Sequence, residues 1–143
     1  MKKTRFYLLV LTVAAGIILA ACSEGASAPA SLVRNWELVS YGDSANPTPA
    51  VIDVDTSFVF AEAGTISGNV GCNSFGGDYE VDGNKITFGS ISSTLMMCED
   101  PVIGDQETAV LSTLTDTVTF VIDEETLTIT SSDGSSFVVL ARK

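Results

Sequence analysis

The residue types in this chain leave few routes to catalysis. The sequence has no histidine, which excludes a Ser-His-Asp or Cys-His site and any imidazole metal ligand. Two carboxylate pairs, Asp53 with Asp55 and Glu99 with Asp100, lack the spacing of a calcium-binding loop. The glycines between positions 64 and 77 precede no helical pattern, so they do not form a phosphate-binding loop. We therefore expect no enzymatic activity and no cofactor.

The first 21 residues have the pattern of a signal peptide. Lys2, Lys3 and Arg5 precede an apolar run from Phe6 to Ala21. At about 1.5 Å per residue, this run is roughly 24 Å long as a helix, which is shorter than a bilayer core of about 30 Å. A positive start, a short apolar run and small residues at the exit indicate export rather than a membrane-spanning helix.

The exit of this segment, Leu19-Ala20-Ala21-Cys22, resembles the bacterial lipobox. The resemblance implies that the chain is cut before Cys22 and that this thiol is acylated, which anchors the protein durably in a membrane. The alternative is an ordinary cleavage site with a cysteine nearby. The small, polar segment from Ser23 to Ser31 then predicts a flexible tether. We expect a signal peptide at 1–21, a lipidated tether at 22–31 and one domain at 32–143.

The mature chain is strongly acidic. Without residues 1–21 it keeps four basic residues against 18 acidic ones, a formal charge of −14. Such a domain repels nucleic acid and anionic headgroups, so we expect no nucleic-acid partner. The remaining cysteines, Cys72 and Cys98, form an even pair in an oxidising compartment, which favours a structural disulfide. A redox-active pair or a pair of metal thiolates is the alternative, although the C-x-x-C spacing is missing.

Most of the mature chain alternates apolar and polar residues between short turns, which is typical of antiparallel strands. The predicted strands are Trp36 to Tyr41, Ser57 to Glu62, Thr65 to Val70, Asp78 to Val81, Lys85 to Phe88, Thr117 to Ile122, Thr126 to Thr130 and Ser136 to Leu140. The segment from Asp105 to Leu114 instead has helical spacing, with Asp105 as a candidate cap. We predict a mainly β (α+β) fold: a strongly curved antiparallel sheet or small barrel with one short helix packed on it.

Two stretches carry a distinctive motif, Gly68-x-x-Gly71-Cys72-Asn73-x-Phe75-x-Gly77-x-Tyr79 and Thr94-x-Met96-x-Cys98. Together with the Trp36-x-Leu38 strand and the helix from Glu107 to Leu114, they resemble the META domain family, also called HslJ-like. The matching residues are Trp36, Leu38, Gly68, Gly71, Cys72, Asn73, Phe75, Gly77, Tyr79, Thr94, Met96, Cys98, Glu107 and Leu114. The position after Thr94 is commonly arginine in the family but is Leu95 here, so Glu107 lacks that partner. The resemblance implies an envelope or secreted domain associated with stress tolerance, and no catalytic residue.

The motif also has a purely structural interpretation. Gly71 and Gly77 permit turns or bulges, Asn73 satisfies loop backbone groups, and Phe75, Met96 and Met97 fill the core. Soft-metal binding by Met96 and Cys98 is the alternative that we disfavour, so we expect no metal. Glu107 is the one charge predicted to face inward, where it is either stabilised by the helix dipole or part of a functional site.

Two functional hypotheses remain. The first is a non-enzymatic envelope module that binds a protein or cell-wall component and is anchored through Cys22. It predicts an exposed apolar or polar-aromatic patch rather than a deep cavity. The second is a carrier or sensor of a small apolar ligand, which requires a cavity inside the barrel. In a two-membrane host we expect the outer membrane, facing the periplasm, because Ser23 is not an aspartate retention signal; otherwise we expect the outer face of the cytoplasmic membrane.

Overall fold

The strands within residues 28–143 close into an antiparallel barrel. A computed structural model describes residues 28–143. The predicted signal peptide and the predicted lipidation of Cys22 lie outside these residues. Its elements are β1 (Asn35–Asp43), β2 (Asn46–Pro49), β3 (Ser57–Ala61), β4 (Thr65–Asn69), β5 (Ser74–Asp82), β6 (Lys85–Phe88), β7 (Ser92–Ser93), α1 (Pro101–Thr113), β8 (Thr117–Asp123), β9 (Thr126–Thr130) and β10 (Phe137–Arg142).

Eight strands form the barrel, in the order β1-β3-β4-β5-β6-β8-β9-β10, and the pairing of β10 with β1 closes it. Trp36 of β1 lies opposite Phe58 of β3 on one side and opposite Arg142 of β10 on the other. The short strands β2 and β7 lie outside this ring, on β1 and β5. The predicted mainly β fold, a small barrel with one short helix, is confirmed.

The barrel interior is filled by the inward-facing side chains of its strands. In β1, the side chains of Trp36 and Leu38, two residues apart, both point inward. The register with β10 shifts between Leu38 and Ser40, so the next buried side chain of the strand is Tyr41. The fully buried side chains include Trp36, Phe58, Phe60, Ile66, Ile86, Leu127, Ile129 and Leu140. Side chains packed as closely as in ordinary protein interiors leave little unfilled volume between them.

Helix α1 begins four residues earlier than the sequence pattern predicts. Asp100 is its N-cap, the Asp100 carboxylate accepts a hydrogen bond from Val102 N at 2.9 Å, and Pro101 occupies the first turn. Proline is favoured there because its missing N–H has no helical partner in any case. The prediction that the helix starts at Asp105 was therefore wrong, because the pattern of buried residues becomes visible only at Gln106.

The helix lies across one end of the barrel, which we name the helix end. Strands β1 and β4 finish there, β3 and β5 begin there, and the connections 50–56, 70–73 and 94–100 surround the start of α1. Val110 and Leu114 of the helix are fully buried in the core. No helix within residues 28–143 is both long and apolar enough to cross a membrane.

The N-terminal segment enters at the opposite end of the barrel. Leu32 is fully buried, its backbone N–H donates to Pro29 O at 2.8 Å, and its carbonyl accepts from Trp36 Nε1 at 3.1 Å. Ala28 packs against the core beside the β3–β4 turn. The folded domain thus extends to Ala28, four residues into the segment predicted as a flexible tether.

Candidate functional site

The motif residues meet at the helix end, where three pieces of the chain converge. The connection 70–73 joins β4 to β5, the segment 94–98 follows β7, and the first two turns of α1 lie beside both. Asn73 and Glu107, 34 positions apart, are both buried here. The sequence-predicted site residues Gly71, Asn73, Thr94, Met96 and Glu107 are therefore brought together.

Asn73 binds both neighbouring segments through a single side chain. Its Oδ1 accepts hydrogen bonds from Thr94 Oγ1 and from Met96 N, each at 2.8 Å. Its Nδ2 donates to Met96 O at 3.2 Å and to Glu107 Oε1 at 2.8 Å. These contacts are of the kind predicted for Asn73, because its side chain satisfies both the backbone N–H and the backbone carbonyl of Met96.

Glu107 holds the connection 70–73, which we name the motif loop, to the helix. Its Oε2 accepts a hydrogen bond from Asn73 N at 2.7 Å, while its Oε1 accepts from Asn73 Nδ2. The residue is only 9% exposed, so the predicted inward orientation is present. It lies in the second turn of α1 rather than the first, because the helix starts at Pro101. The neutral N–H donors of Asn73, rather than the first-turn helix dipole, therefore stabilise this carboxylate.

No cationic side chain binds Glu107 in the part of the chain that the structure describes. The ion pairs there are Arg142 with Glu125 at 3.1 Å and Lys143 with Asp55 at 2.5 Å, on other parts of the surface. Leu95 is 96% exposed and does not replace a charged partner. Burying a carboxylate without a counter-cation is costly, and Asn73 offsets part of this cost.

A disulfide joins Cys72 to Cys98, with the two Cα atoms 5.7 Å apart. It links the motif loop to the segment immediately before α1. Both cysteines are partly exposed. Their Sγ atoms and a Glu107 oxygen lie within 4.8 Å of one another, so these three residues form a cluster of side-chain types that can bind a metal ion. In the disulfide form, however, the cysteines provide no thiolate.

Two motif glycines are required by close packing. A Cβ atom on Gly71 would lie 2.6 Å from Ile103 Cγ2, and its φ of +139° disfavours other residues. A Cβ on Gly77 would lie 2.8 Å from Ser90 O. Phe75 of β5 is buried against Phe58, with ring centroids 5.4 Å apart. These three motif positions therefore build the barrel wall and its connection to the helix.

The prediction that Met96 and Met97 fill the core was wrong. Met96 is 62% exposed and Met97 is 94% exposed. Asn73 binds the backbone of Met96 and thereby holds these side chains toward solvent. We name the segment Leu95, Met96 and Met97 the apolar loop.

Gln106 is a site residue that the sequence analysis missed. It is fully buried, its Oε1 accepts from Val51 N at 2.7 Å, and its Nε2 donates to Val70 O at 2.8 Å. It thereby ties the connection 50–56 to the end of β4. Its position four residues before Val110 was the available signal, since residues at this spacing share a helix face.

The described residues also enclose grooves on the outer surface. One of these has a volume of about 610 Å³ and lies between the second half of α1 and the segment after β6. It is lined by Phe88, Ile91, Leu111 and Leu114 together with Ser90 and Asp116. It is open to solvent, and two of its lining residues, Phe88 and Leu114, belong to the buried core.

Tyr41 lies at the end of the inward row of β1, and its environment affects its ionisation. Burial raises the pKa of the Tyr41 phenol, and the negative charge of Asp105 on the helix adds to this effect. Both influences favour the neutral phenol, so Tyr41 carries no charge at neutral pH.

Three solved structures resemble this chain. One is an NMR structure of a protein from Burkholderia xenovorans, with 22% identity, a TM-score of 0.65 and coverage of 88% of this chain and 99% of that one. Another NMR structure has 18% identity, a TM-score of 0.60 and coverage of 78% and 90%. A crystal structure of a DUF4847 family protein from Bacteroides vulgatus has 14% identity, a TM-score of 0.55 and coverage of 80% and 95%. At these identities the likeness establishes the fold alone.

No curated protein matches the chain. The family model described as META domain matches residues 30–143, which include every motif residue from Trp36 to Leu114. This match confirms the resemblance that the glycine-cysteine-asparagine motif predicted. The chain therefore belongs to the META domain family.

Proposed function

We propose that this chain is a non-enzymatic lipoprotein of the bacterial cell envelope, linked to envelope stress tolerance, and that its META domain binds a protein partner through the helix end. The observation that carries the proposal is the apolar loop. Leu95 and Met97 are 96% and 94% exposed, although the backbone between them is held by Asn73. Fixed, solvent-exposed apolar side chains are typical of interaction surfaces.

The distribution of exposed apolar residues supports the same end of the molecule. Large apolar side chains more than half exposed at the helix end are Ile52, Leu95, Met96, Met97 and Val102. Methionine is frequent at binding surfaces because its flexible thioether adapts to the partner. A partner that covers these side chains removes apolar area from water and gains binding free energy.

The placement of the N-terminal segment suits this interaction. Ala28 packs at the end opposite the apolar loop, six positions after Cys22. Because an extended chain spans at most about 3.6 Å per residue, an anchor on Cys22 keeps Ala28 within roughly 22 Å of the acyl chains. The helix end then points away from the membrane, toward envelope proteins. The acidic charge of the domain adds to this orientation, since anionic headgroups repel it.

The filled barrel argues against the alternative, a carrier of a small apolar ligand. Trp36, Phe58 and Phe60 occupy the interior and are 1% exposed or less. Ligand-binding barrels need an interior volume of about 300–1,000 Å³. The lack of histidine argues against catalysis, because the chain has no imidazole base to activate a nucleophile.

Site-specific photo-crosslinking in living bacteria tests the proposal. A photoreactive residue replaces Met97 in one variant and Val121 in a matched control, because Val121 is also exposed, at 63%, but lies on β8. We expect discrete crosslinked products from positions 96 and 97 but not from position 121. We expect the L95S/M97S change to abolish the product from position 96. Equal products from positions 97 and 121, or none from either, would contradict the proposal.

A further inference from the structure

The disulfide and Glu107 together form a second chemical feature of the helix end. The Cys72 and Cys98 Sγ atoms and one Glu107 oxygen are all within 4.8 Å of one another. Two thiolates and one carboxylate are ligands that zinc accepts, at distances of about 2.3 Å and 2.0–2.2 Å. We infer that the reduced protein binds one divalent thiophilic cation, of the zinc type, through Cys72, Cys98 and Glu107. This inference is independent of the proposed partner binding.

Glu107 is already oriented as a ligand. Asn73 donates to both of its oxygens, at 2.7 and 2.8 Å, so the carboxylate has a fixed direction before a cation arrives. Each carboxylate oxygen has two lone pairs, and one on each oxygen stays available after the Asn73 bonds. Outer hydrogen bonds of this kind orient metal ligands and increase their affinity.

The electrostatic environment favours a cation. Glu107 is 9% exposed and has neutral donors as its hydrogen-bond partners. Among residues 28–143, the ion pairs formed by basic side chains involve Glu125 and Asp55, not Glu107. A bound dication would therefore attract the buried Glu107 carboxylate, which otherwise depends on Asn73 alone, while the two thiolates balance the charge of the cation.

The cluster is accessible to a cation and has space for a fourth ligand. Cys72 and Cys98 are partly exposed, and the Met96 carbonyl oxygen lies 3.8 Å from Cys72 Sγ. Three protein ligands leave one tetrahedral position, which water or that carbonyl oxygen fills. The Cα separation of 5.7 Å fixes the two cysteines on the same side of the cluster.

The disulfide and the cation exclude each other. A dithiol reductant transfers two electrons and two protons to the S–S bond, which breaks into two thiols, and the reductant becomes a cyclic disulfide. The cation then binds as both thiols release their protons, so one dication displaces two protons. A small-molecule disulfide reverses this change: the two thiolates exchange with it, its two sulfurs leave as thiolates, the protein disulfide is restored and the cation is released. Both the disulfide and the bound cation would connect the motif loop to the segment before α1.

Zinc titration of the full chain in detergent tests this inference. The protein is reduced with dithiothreitol, desalted without oxygen and titrated with Zn²⁺ against a chromogenic chelator, in parallel with the oxidised protein. We expect one Zn²⁺ per reduced chain and none per oxidised chain. The C72S/C98S variant, which keeps Cys22, should lose the site under reducing conditions. Equal binding by this variant or by the oxidised protein would overturn the inference, as would no binding by the reduced protein.

Glu107 is tested separately. We expect E107Q to lower the zinc affinity at least about tenfold, and E99Q, at an exposed glutamate next to Cys98, to leave it unchanged. Zinc X-ray absorption of the reduced wild-type chain gives a readout that does not depend on a variant folding. Two sulfur ligands near 2.3 Å with oxygen ligands near 2.0–2.2 Å support the site. Sulfur ligands alone, or equal affinity of E107Q and E99Q, would exclude Glu107.

Discussion

At the residue scale, the family motif builds a support rather than a reactive centre. Asn73 contacts Thr94, Met96 and Glu107, and all of its side-chain hydrogen-bonding groups are used within the protein. The exposed side chains of the apolar loop are Leu95, Met96 and Met97, of which the motif specifies only Met96. The motif therefore fixes the backbone of a loop in which two of the three exposed side chains can differ between proteins.

Glu107→Ala should destabilise the protein strongly. The change leaves two donors of Asn73, its backbone N–H and its Nδ2, without an acceptor in a buried site. An unsatisfied buried donor costs about 1–3 kcal/mol, so we expect the free energy of unfolding to fall by roughly 2–4 kcal/mol. Urea denaturation of the wild type and the variant measures the difference.

The matched control is Glu99→Ala, since Glu99 is exposed next to Cys98. We expect this change to alter the free energy of unfolding by less than about 0.5 kcal/mol. Similar losses for both variants would mean that Glu107 stabilises the domain only through charge. Asn73→Ala should cost at least as much as Glu107→Ala, because it removes the Nδ2 donor to Glu107 and the Oδ1 acceptor for Thr94 Oγ1 and Met96 N.

The sequence predicted the buried members of the site better than the exposed ones. Glu107 was placed inward because helix periodicity assigns a face to each residue, whereas Phe75 was assigned to the core as an apolar residue of the motif. Met96 and Met97 follow a two-residue strand and belong to no periodic element, so hydrophobicity alone was used and gave the wrong side. Their exposure depends on Asn73, 23 positions away, and no local pattern contains that contact.

At the element scale, the start of α1 decides how the helix meets the motif. A helix beginning at Pro101 places Glu107 in its second turn, facing Asn73, with Gln106 facing Val51 and Val70. The sequence pattern missed the first turn because its residues, from Pro101 to Asp105, are exposed or only partly buried. Capping and proline geometry, rather than amphipathicity, begin this helix.

Two aspartate variants distinguish the observed helix start from the predicted one. Asp100→Ala removes the acceptor for Val102 N and should lower the free energy of unfolding by about 1 kcal/mol. Asp105→Ala replaces an exposed residue inside the helix and should change it by less than about 0.5 kcal/mol. Thermal unfolding followed by circular dichroism measures both. A larger loss for Asp105→Ala would support a helix that starts at residue 105.

The turn between β9 and β10 should contribute stability that depends on pH. Hydrogen bonds from Ser135 N and from the hydroxyls of Ser131 and Ser135 lower the pKa of Asp133 from 3.8 to about 2. Because the folded-state pKa is depressed, this contribution is complete above the unfolded value of 3.8. It is lost as the pH falls toward 2.

Asp133→Asn measures this contribution. We expect the difference in Tm between wild type and variant to be constant above about pH 5 and to shrink between pH 4 and pH 2. Asp82→Asn, in the exposed β5–β6 turn, serves as the comparison that controls for loss of one negative charge. A Tm difference for Asp133→Asn that does not change over this range would contradict the pKa assignment.

At the scale of the whole molecule, local turn signals predicted most of the barrel. Asp82-Gly83-Asn84 connects β5 to β6, and Gly83 has the positive φ, +59°, that such a turn requires. Short connections made the sheet antiparallel, but they did not determine that β10 pairs with β1. This closure joins residues about 100 positions apart. Only the fit of the buried side chains inside the barrel selects it over an open sheet.

The charge of the whole domain predicts how its stability responds to salt. Because residues 22–143 contain four basic residues against 18 acidic ones, the folded state concentrates repelling carboxylates on one small surface. Two exposed ion pairs, Arg142 with Glu125 and Lys143 with Asp55, act in the opposite sense but contribute little. Screening should therefore remove more repulsion than attraction.

We expect the Tm at neutral pH to rise by several degrees as NaCl increases from about 0.01 M to about 1 M, because the Debye length falls from roughly 30 Å to 3 Å. The same titration at the isoelectric pH of residues 22–143 is the control; this pH lies below the value of about 4.1 for the full sequence, because residues 1–21 contain three of the seven basic residues. There the net repulsion disappears, so the rise should be much smaller. An equal rise at both pH values would mean that salt acts through apolar burial instead of charge. A fall at neutral pH would mean that the two ion pairs outweigh the repulsion of the acidic surface.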